Sequence, residues 1–136
     1  MSSIDPVMAN VVLDASAIIA LIFDEPGGDR VEAHLPAALV STVNIAEVAT
    51  CLLALDMPAE TVDTVIDTLQ LSIQAFDYDQ ALATARLRSV TRSAGLSLGD
   101  RACLALAKAR HARALTADRA WQEIAGDAAV DVELLR

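Results

Sequence analysis

Four acidic side chains in this sequence are placed where they could do chemistry together. Asp14 directly follows the apolar residues 11–13, which predict a short buried strand, and Asp118 follows a second short strand. Asp100 stands in the first turn of a predicted helix, and Glu47 lies in the middle of another. The carboxyl ends of strands in an open α/β sheet form the edge where such folds bind their ligands, so we expect the acids to converge there. Carboxylates and water are the ligands that Mg²⁺ and Mn²⁺ prefer.

Each of these acids also has a purely structural explanation. Asp100 and Asp118 could cap helices, where a carboxylate near the N-terminus contributes about 0.3–1 kcal/mol, and Glu47 could pair with an arginine. Taken together these explanations weaken, because four carboxylates brought to one place without a cation would repel one another and raise their pKa values. For each residue taken singly, both interpretations stay open.

The scaffold that would position these acids alternates short apolar segments with helical ones. Strands are predicted at about 11–13, 37–41, 72–76, 114–116 and 130–134, and helices at about 15–23, 29–35, 43–55, 58–69, 77–93, 98–110 and 118–124. This alternation predicts a largely parallel sheet with helices on both faces. A length of 136 residues suits a single domain over 1–136, with residues 1–9 as a loose lead-in.

Charge is distributed unevenly along the chain. The net charge of −9 argues against nucleic acid as a partner. The segment 86–119, however, holds eight of the ten basic residues and only two of the nineteen acids. A basic segment on an acidic body can bind phosphates locally; a set of solvated helix faces is the alternative. Four aromatic residues are too few for an extended base-stacking platform.

The cysteines and histidines predict neither a disulfide framework nor a metal site. Cys51 and Cys103 lie in alanine- and leucine-rich helical surroundings and are expected to pack in the core. His34 and His111 are isolated and lack metal-ligand spacing. A reducing cytoplasm suits two unpaired cysteines. No apolar stretch approaches the ~20 residues needed to span a bilayer, and the N-terminus lacks a secretory signal.

Four ordered motifs resemble those of PIN-domain ribonucleases, and most closely those of the VapC-type toxins of bacterial toxin–antitoxin pairs. They are Val11-Val12-Leu13-Asp14-Ala15-Ser16-Ala17, Asn44-Ile45-Ala46-Glu47-Val48, Leu96-Ser97-Leu98-Gly99-Asp100-Arg101-Ala102-Cys103-Leu104-Ala105, and Leu115-Thr116-Ala117-Asp118-Arg119-Ala120-Trp121. Each motif alone is weakly specific, whereas four in this order from about Asn10 to Leu134 are highly specific.

The resemblance implies a fold, an activity and partners. The fold would be a three-layer α/β/α PIN-like sandwich with a central, mostly parallel sheet of four or five short strands. The activity would be that of an Mg²⁺- or Mn²⁺-dependent endoribonuclease, a toxin that inhibits translation and growth. The implied partners are RNA of the transfer or ribosomal class, a cognate antitoxin protein and a second copy of the chain. The implied location is the cytoplasm, and no membrane is expected as a partner.

The same resemblance assigns roles to individual residues. The acidic quartet expected to be catalytic consists of Asp14, Glu47, Asp100 and Asp118. Asp14 and Asp100 would hold the metal most directly, Asp118 would ligate through water or a second ion, and Glu47 would orient or deprotonate the attacking water. Supporting and substrate-positioning roles fall to Ser16, Asn44, Thr116 and Arg101. Relatives often carry a further acid near Asp100 or Asp118; the absence of one directly after Asp100 argues against a strong second metal site.

Two other functions remain open at the level of sequence. A haloacid-dehalogenase-like hydrolase also begins with a strand that ends in an aspartate, but Ser16 stands where a second aspartate is common, and Lys108 is the only lysine. The other alternative is a catalytically silent PIN-like module that only binds a partner.

Overall fold

A five-stranded, entirely parallel sheet forms the centre of the molecule. The computed structural model describes residues 10–136, so the predicted lead-in of residues 1–9 lies outside the described residues. The strands are β1 (Val11–Leu13), β2 (Ala38–Ser41), β3 (Ser72–Gln74), β4 (Arg113–Thr116) and β5 (Val132–Leu134), and their spatial order is β3-β2-β1-β4-β5. The predicted parallel sheet of four or five short strands is confirmed.

Eight α-helices in the described part of the chain connect these strands. They are α1 (Ala15–Ile22), α2 (Gly28–His34), α3 (Thr42–Ala54), α4 (Ala59–Thr68), α5 (Tyr78–Arg86), α6 (Arg88–Thr91), α7 (Leu98–Arg110) and α8 (Trp121–Ala128), with short 3-10 turns at Leu35–Ala37 and Arg92–Ala94. None of the helices in the described range has both the length and the apolar character required to cross a membrane.

Two predicted helices differ from those observed. The single helix expected at 77–93 is divided into α5 and α6 at Leu87, whose backbone N–H reaches the Thr84 carbonyl three residues back instead of four. Leu87 is buried at this break, so the tighter turn keeps an apolar side chain in the core. The last helix begins at Trp121 rather than at Asp118, because the residues after β4 form a turn first.

The sheet separates two hydrophobic cores, which gives the three layers. Side chains of a strand alternate between its two faces. Val12 belongs to the cluster that α5 to α8 cover, and its neighbours Val11 and Leu13 belong to the cluster that α1 to α4 cover. All three residues of β1 are 0–1% exposed, as expected for a central strand with helices on both faces. The predicted three-layer α/β/α arrangement is therefore confirmed.

The connections diverge between β1 and β4. From β1 the chain moves through β2 to β3 on one side, and from β4 it moves to β5 on the other. Leu13 pairs with Leu115, so the two strands end side by side. Divergence of neighbouring connections leaves a crevice outside the carboxyl ends of such strands, where open α/β sheets bind ligands. Asp14 and Thr116 stand at this point.

Candidate active site

Asp14 is a buried acid at the carboxyl end of β1. The residue is 4% exposed, and its carboxylate caps α1. Oδ1 accepts hydrogen bonds from the Ala17 backbone N–H at 2.8 Å and from the Ser16 hydroxyl at 2.7 Å. Oδ2 accepts a hydrogen bond from the Thr116 hydroxyl, at the end of β4, at 2.5 Å. Partners from α1 and from the end of β4 therefore fix the orientation of this carboxylate.

The hydroxyl groups of Ser16 and Thr116 connect Asp14 to the loop after β4. The two oxygens lie 3.4 Å apart. The Ser16 hydroxyl accepts a hydrogen bond from the Ala117 N–H at 3.0 Å, and the Thr116 hydroxyl accepts one from the Asp118 N–H at 3.0 Å. Two of the predicted supporting residues thus lie beside Asp14 and hold the backbone that leads to Asp118.

The environment of Asp14 favours its protonated form. Burial raises the pKa of Asp14 from 3.8 to about 6, and the nearby charge of Asp100 adds to this increase. Hydrogen bonds from Thr116, Ser16 and the Ala17 N–H act in the opposite direction, because they stabilise the carboxylate. A cation beside the carboxylate would likewise lower its pKa and offset the cost of burying its charge.

Asp100 completes the N-terminal capping box of α7 and also lies near Asp14. The Asp100 N–H donates to the Ser97 hydroxyl at 3.2 Å, and the Ser97 N–H donates to Asp100 Oδ2 at 3.0 Å. This reciprocal pair is a capping box. The structural explanation considered for Asp100 therefore holds, yet its charge still raises the pKa of Asp14. Asp100 therefore contributes to the cap of α7 and also lies at the acidic edge, the carboxyl edge of the sheet that carries Asp14.

Glu47 packs against the first turn of α7. The Asn44 side-chain amide donates to Glu47 Oε1 at 2.9 Å and to the Gly99 carbonyl at 3.1 Å, which joins α3 to α7. No arginine forms an ion pair with Glu47 in the described range, so the structural alternative considered for it is not observed. Gly99 stands in the third motif, but its contact with α3 could not be predicted, because a close approach of two helices leaves no signal in a single sequence.

The buried thiol of Cys103 lies among three of the predicted acids. Burial raises the pKa of Cys103 well above its ordinary value, and the charges of Asp14, Asp100 and Glu47 raise it further. The thiol contacts the Val12 carbonyl at 4.0 Å, beneath the end of β1. Cys103 is therefore buried, as predicted. It packs beneath these three acids, which the structure brings to one edge of the sheet.

The fourth acid, Asp118, is more open to solvent. It is exposed in the turn after β4, and its Oδ1 accepts a hydrogen bond from the Ala120 N–H at 3.0 Å. Its backbone is tied to Thr116 and through it to Asp14. Asp118 thus lies beside the carboxyl end of β4, at the outer side of the acidic edge.

Arg101 forms a contact between two helices. Its Nη1 donates to the Thr84 carbonyl of α5 at 3.1 Å, and its Nε has no hydrogen-bond partner among residues 10–136. Within the same range Arg101 forms no ion pair with a carboxylate. In this arrangement the guanidinium holds α7 against α5, and its predicted contact with substrate stays a prediction.

The donor chemistry of this edge suits a divalent cation, with part of the coordination left to other ligands. Most of the side-chain oxygens at this edge belong to carboxylates, which are ligands that Mg²⁺ and Mn²⁺ prefer. In the described part of the chain, however, no group of three or more His, Cys, Asp or Glu side chains is placed to hold an ion together. The capping box holds Asp100, and Asn44 holds Glu47. Mg²⁺ commonly binds through one or two carboxylates, water and substrate phosphate, so the residues fit such an ion.

An apolar cleft of about 520 Å³ opens beside Glu47, between α3 and the start of α7. Its lining residues are Val43, Ala46, Glu47, Thr50, Cys51, Ser97, Leu98 and Gly99. Cys51 is exposed in this cleft, so the prediction that it packs in the core was wrong. It lies one turn beyond Glu47, and that face of α3 borders the cleft instead of the sheet. A separate cleft of about 320 Å³ between α5 and α7 is lined by none of the four acids.

Solved structures with a similar fold come from toxin–antitoxin complexes. A DNA-bound VapBC complex from Salmonella typhimurium matches with a TM-score of 0.73 and 19% identity, over 93% of this chain and 98% of that chain. A toxin–antitoxin complex from Klebsiella pneumoniae matches with a TM-score of 0.70 and 20% identity, over 93% and 98%. VapBC2 from Rickettsia felis, bound to a promoter DNA fragment, matches with a TM-score of 0.71 and 18% identity, over 92% and 98%. No curated protein matches the sequence.

A family model describes nearly the whole chain. The PIN domain model matches residues 11–127, from the first residue of β1 to the penultimate residue of α8. The matched range contains all four acids and all four supporting residues that the motifs predicted. The resemblance inferred from those motifs is confirmed: the chain belongs to the PIN domain family.

Proposed function

We propose that this protein is a divalent-metal-dependent endoribonuclease that acts as the toxin of a toxin–antitoxin pair. The observation that carries the proposal is the buried Asp14 carboxylate, held by Ser16 and Thr116 at the divergence of β1 and β4, with Asp100 and Glu47 nearby. A charged group is costly to bury unless it is paired or binds a cation. Membership of the PIN domain family supports a nuclease, and removes the haloacid-dehalogenase-like alternative.

The proposed chemistry assigns a separate task to each acid. Asp14 and Asp100 would hold Mg²⁺ or Mn²⁺, with Asp118 ligating through water from the outer side of the edge. Such an ion supplies a nucleophilic water near neutral pH and stabilises negative charge on the transferring phosphoryl group. Glu47 would accept the proton of the attacking water or orient it, which requires its carboxylate to be fixed within hydrogen-bond distance of that water.

The supporting residues would fix the positions of these groups. Ser16 and Thr116 orient the Asp14 carboxylate and hold the turn that carries Asp118. Asn44 holds Glu47. Arg101 is directed at the Thr84 carbonyl, so its proposed contact with a substrate phosphate would use the guanidinium nitrogens that this bond leaves available.

The basic segment 86–119 supports RNA as the substrate. Of its eight basic side chains, one forms an ion pair in the described part of the protein: Arg113, with Glu133 at 3.1 Å. Cations without carboxylate partners are available to phosphates, and such contacts supply most sequence-independent affinity for nucleic acid. We propose RNA of the transfer or ribosomal class, as the resemblance implies.

The structural neighbours support a protein partner. Several of them are VapBC or FitAB toxin–antitoxin complexes. We therefore propose that a cognate antitoxin binds this chain in the cytoplasm and that the toxin itself forms a homodimer. A catalytically silent binding module is the second candidate, because no three acids among residues 10–136 are placed to hold an ion together.

An RNA-cleavage assay with metal titration tests the proposal. The purified chain should cleave RNA in Mg²⁺ or Mn²⁺ and stop cleaving in a chelator. Asp14→Asn and Asp100→Asn should each abolish cleavage, whereas Asp67→Asn, an exposed acid on α4, should not. Mapping of RNA 5′ ends after induced expression would then identify the substrate. Metal-dependent cleavage that persists in folded Asp14→Asn would refute the assignment, and absence of cleavage with every RNA and metal would favour the silent module.

A further inference from the structure

Gly99 occupies a position where any side chain would collide with Glu47. A Cβ atom built on Gly99 would lie 2.2 Å from Glu47 Oε2, 2.3 Å from Oε1 and 2.3 Å from Cδ. These distances are far below van der Waals contact, so the carboxylate fills the space that a side chain at position 99 would take. The glycine itself is buried in the first turn of α7 and has an ordinary helical backbone. Conformational freedom therefore does not explain this glycine, whereas the close approach of Glu47 does.

Asn44 fixes the carboxylate in that space. Both of its amide hydrogens have acceptors, since Nδ2 donates to Glu47 Oε1 and to the Gly99 carbonyl. The opposite orientation of the amide would place Oδ1 against two other oxygens, so these bonds define the side chain. Asn44 is 0% exposed, and its Oδ1 has no partner among residues 10–136. A buried acceptor without a partner is unfavourable, which indicates that this asparagine is kept for the two bonds it donates.

We propose that Gly99 is a positioning residue that, together with Asn44, sets where the Glu47 carboxylate lies relative to Asp14 and Asp100. This inference rests on the proposed function, because it concerns the acid that would activate water. The missing Cβ lets the carboxylate lie flat against α7, and the Asn44 amide joins that carboxylate to the Gly99 carbonyl. The position of Glu47 is thus set by the backbone of a neighbouring helix and not by its own rotamer alone.

Gly99→Ala tests the contact between position 99 and the Glu47 carboxylate directly. The three nearest atoms to the added methyl all belong to the flexible end of Glu47, so the carboxylate can move while the backbone stays in place. Gly126→Ala in α8 is the matched control, because a Cβ there meets no atom of the described residues within 4 Å. Both substitutions replace a helical glycine by a better helix former. A difference between the two variants reports the collision with Glu47.

The first test measures cleavage kinetics. Gly99→Ala should lower kcat about 100-fold with little change in KM, since misplacement of a reacting group by about 1 Å costs that much. Gly126→Ala should leave both constants unchanged. Glu47→Asp shortens the side chain by one methylene and clears the space, so Gly99→Ala should cost almost nothing further in the Glu47→Asp background. Equal kcat for Gly99→Ala and Gly126→Ala would overturn the proposal. So would a double variant of Glu47→Asp and Gly99→Ala whose loss of kcat equals the product of the losses in the two single variants.

The second test does not depend on activity. Urea unfolding should give Gly99→Ala a lower midpoint than Gly126→Ala, and the deficit should disappear in the Glu47→Asp background, because contacting residues show coupled effects. If Gly99→Ala does not fold, restoration of folding by Glu47→Asp supports the collision and failure to restore it overturns the proposal. A wild-type protein without ribonuclease activity would remove the proposed function, while this unfolding cycle would still decide whether Glu47 and Gly99 are coupled.

Discussion

At the scale of single residues, Asp14 carries a free-energy cost that the fold must offset. Its pKa of about 6 means that the folded protein binds a proton more tightly at this site than the unfolded chain does. Below pH 3.8 the group is protonated in both states and the cost is absent. Between pH 3.8 and about 6 the unfolded chain ionises first, so stability falls as pH rises. Above about 6 the full cost is present, and a shift of this size corresponds to about 3 kcal/mol.

Asp14→Asn should therefore stabilise the protein in a pH-dependent way. In a chelator we expect this variant to be more stable than the wild type by up to about 3 kcal/mol above pH 6, with the difference vanishing toward pH 4. Urea unfolding of both proteins across pH 4–8 measures this difference in the free energy of unfolding. Added Mg²⁺ should stabilise only the wild type and narrow the difference. Asp67→Asn is the control for loss of one exposed charge. A variant less stable than the wild type at pH 7.5 would contradict the explanation.

At the scale of the elements, three helix caps fix the starts of the helices next to the acids of the acidic edge. Asp14 caps α1, Ser41 caps α3 and Ser97 caps α7, and each cap is the last residue before its helix. Ser41 is the cap of α3 because its hydroxyl accepts the Val43 N–H at 3.2 Å. Asn44 is thereby left inside α3, where its amide is available to Glu47 and Gly99.

Removal of the Ser97 hydroxyl should loosen the start of α7. Ser97→Ala deletes the acceptor of the Asp100 N–H, and loss of an N-cap typically costs about 1 kcal/mol. Urea unfolding measures the loss. Ser93→Ala, an exposed serine of the preceding 3-10 turn, is the control and should leave stability unchanged. Equal stability of both variants would show that the capping box contributes nothing to the fold.

The positions of the strand-end acids could be predicted from sequence, whereas the contact of Glu47 with α7 could not. Asp14 and Asp118 follow apolar runs, and the parallel alternation of elements fixes the edge at which they emerge. Asn44 lies one turn before Glu47 and was predicted as a supporting residue. Its bond to the Gly99 carbonyl, and the contact of Gly99 with Glu47, depend on a close approach between helices that are far apart in sequence, which no local pattern encodes. The exposure of Cys51 and the break at Leu87 have the same origin, because tertiary packing decides which helix face is covered.

At the scale of the whole molecule, charge and topology together favour a substrate that approaches the carboxyl edge of the sheet. The body of the protein is acidic, and the acids at the edge would repel a phosphate chain in the absence of a cation. Most cations of the segment 86–119 have no carboxylate partner in the described range. Arg119 is exposed directly after Asp118, which places it beside the candidate active site.

Arg119 should therefore contribute to RNA affinity through phosphate contact. In a chelator, which blocks cleavage, the affinity of the protein for single-stranded RNA should fall with rising salt. Arg119→Ala should reduce the slope of log K against log salt by about 0.7, the value for one phosphate contact on a single strand. Arg136→Ala removes the same charge from an arginine that lies 3.8 Å from Glu25, outside the basic segment, and should leave the slope unchanged. Because both variants have the same net charge, identical slopes would exclude a local contact by Arg119, and a change confined to Arg119→Ala would place the RNA backbone beside Asp118.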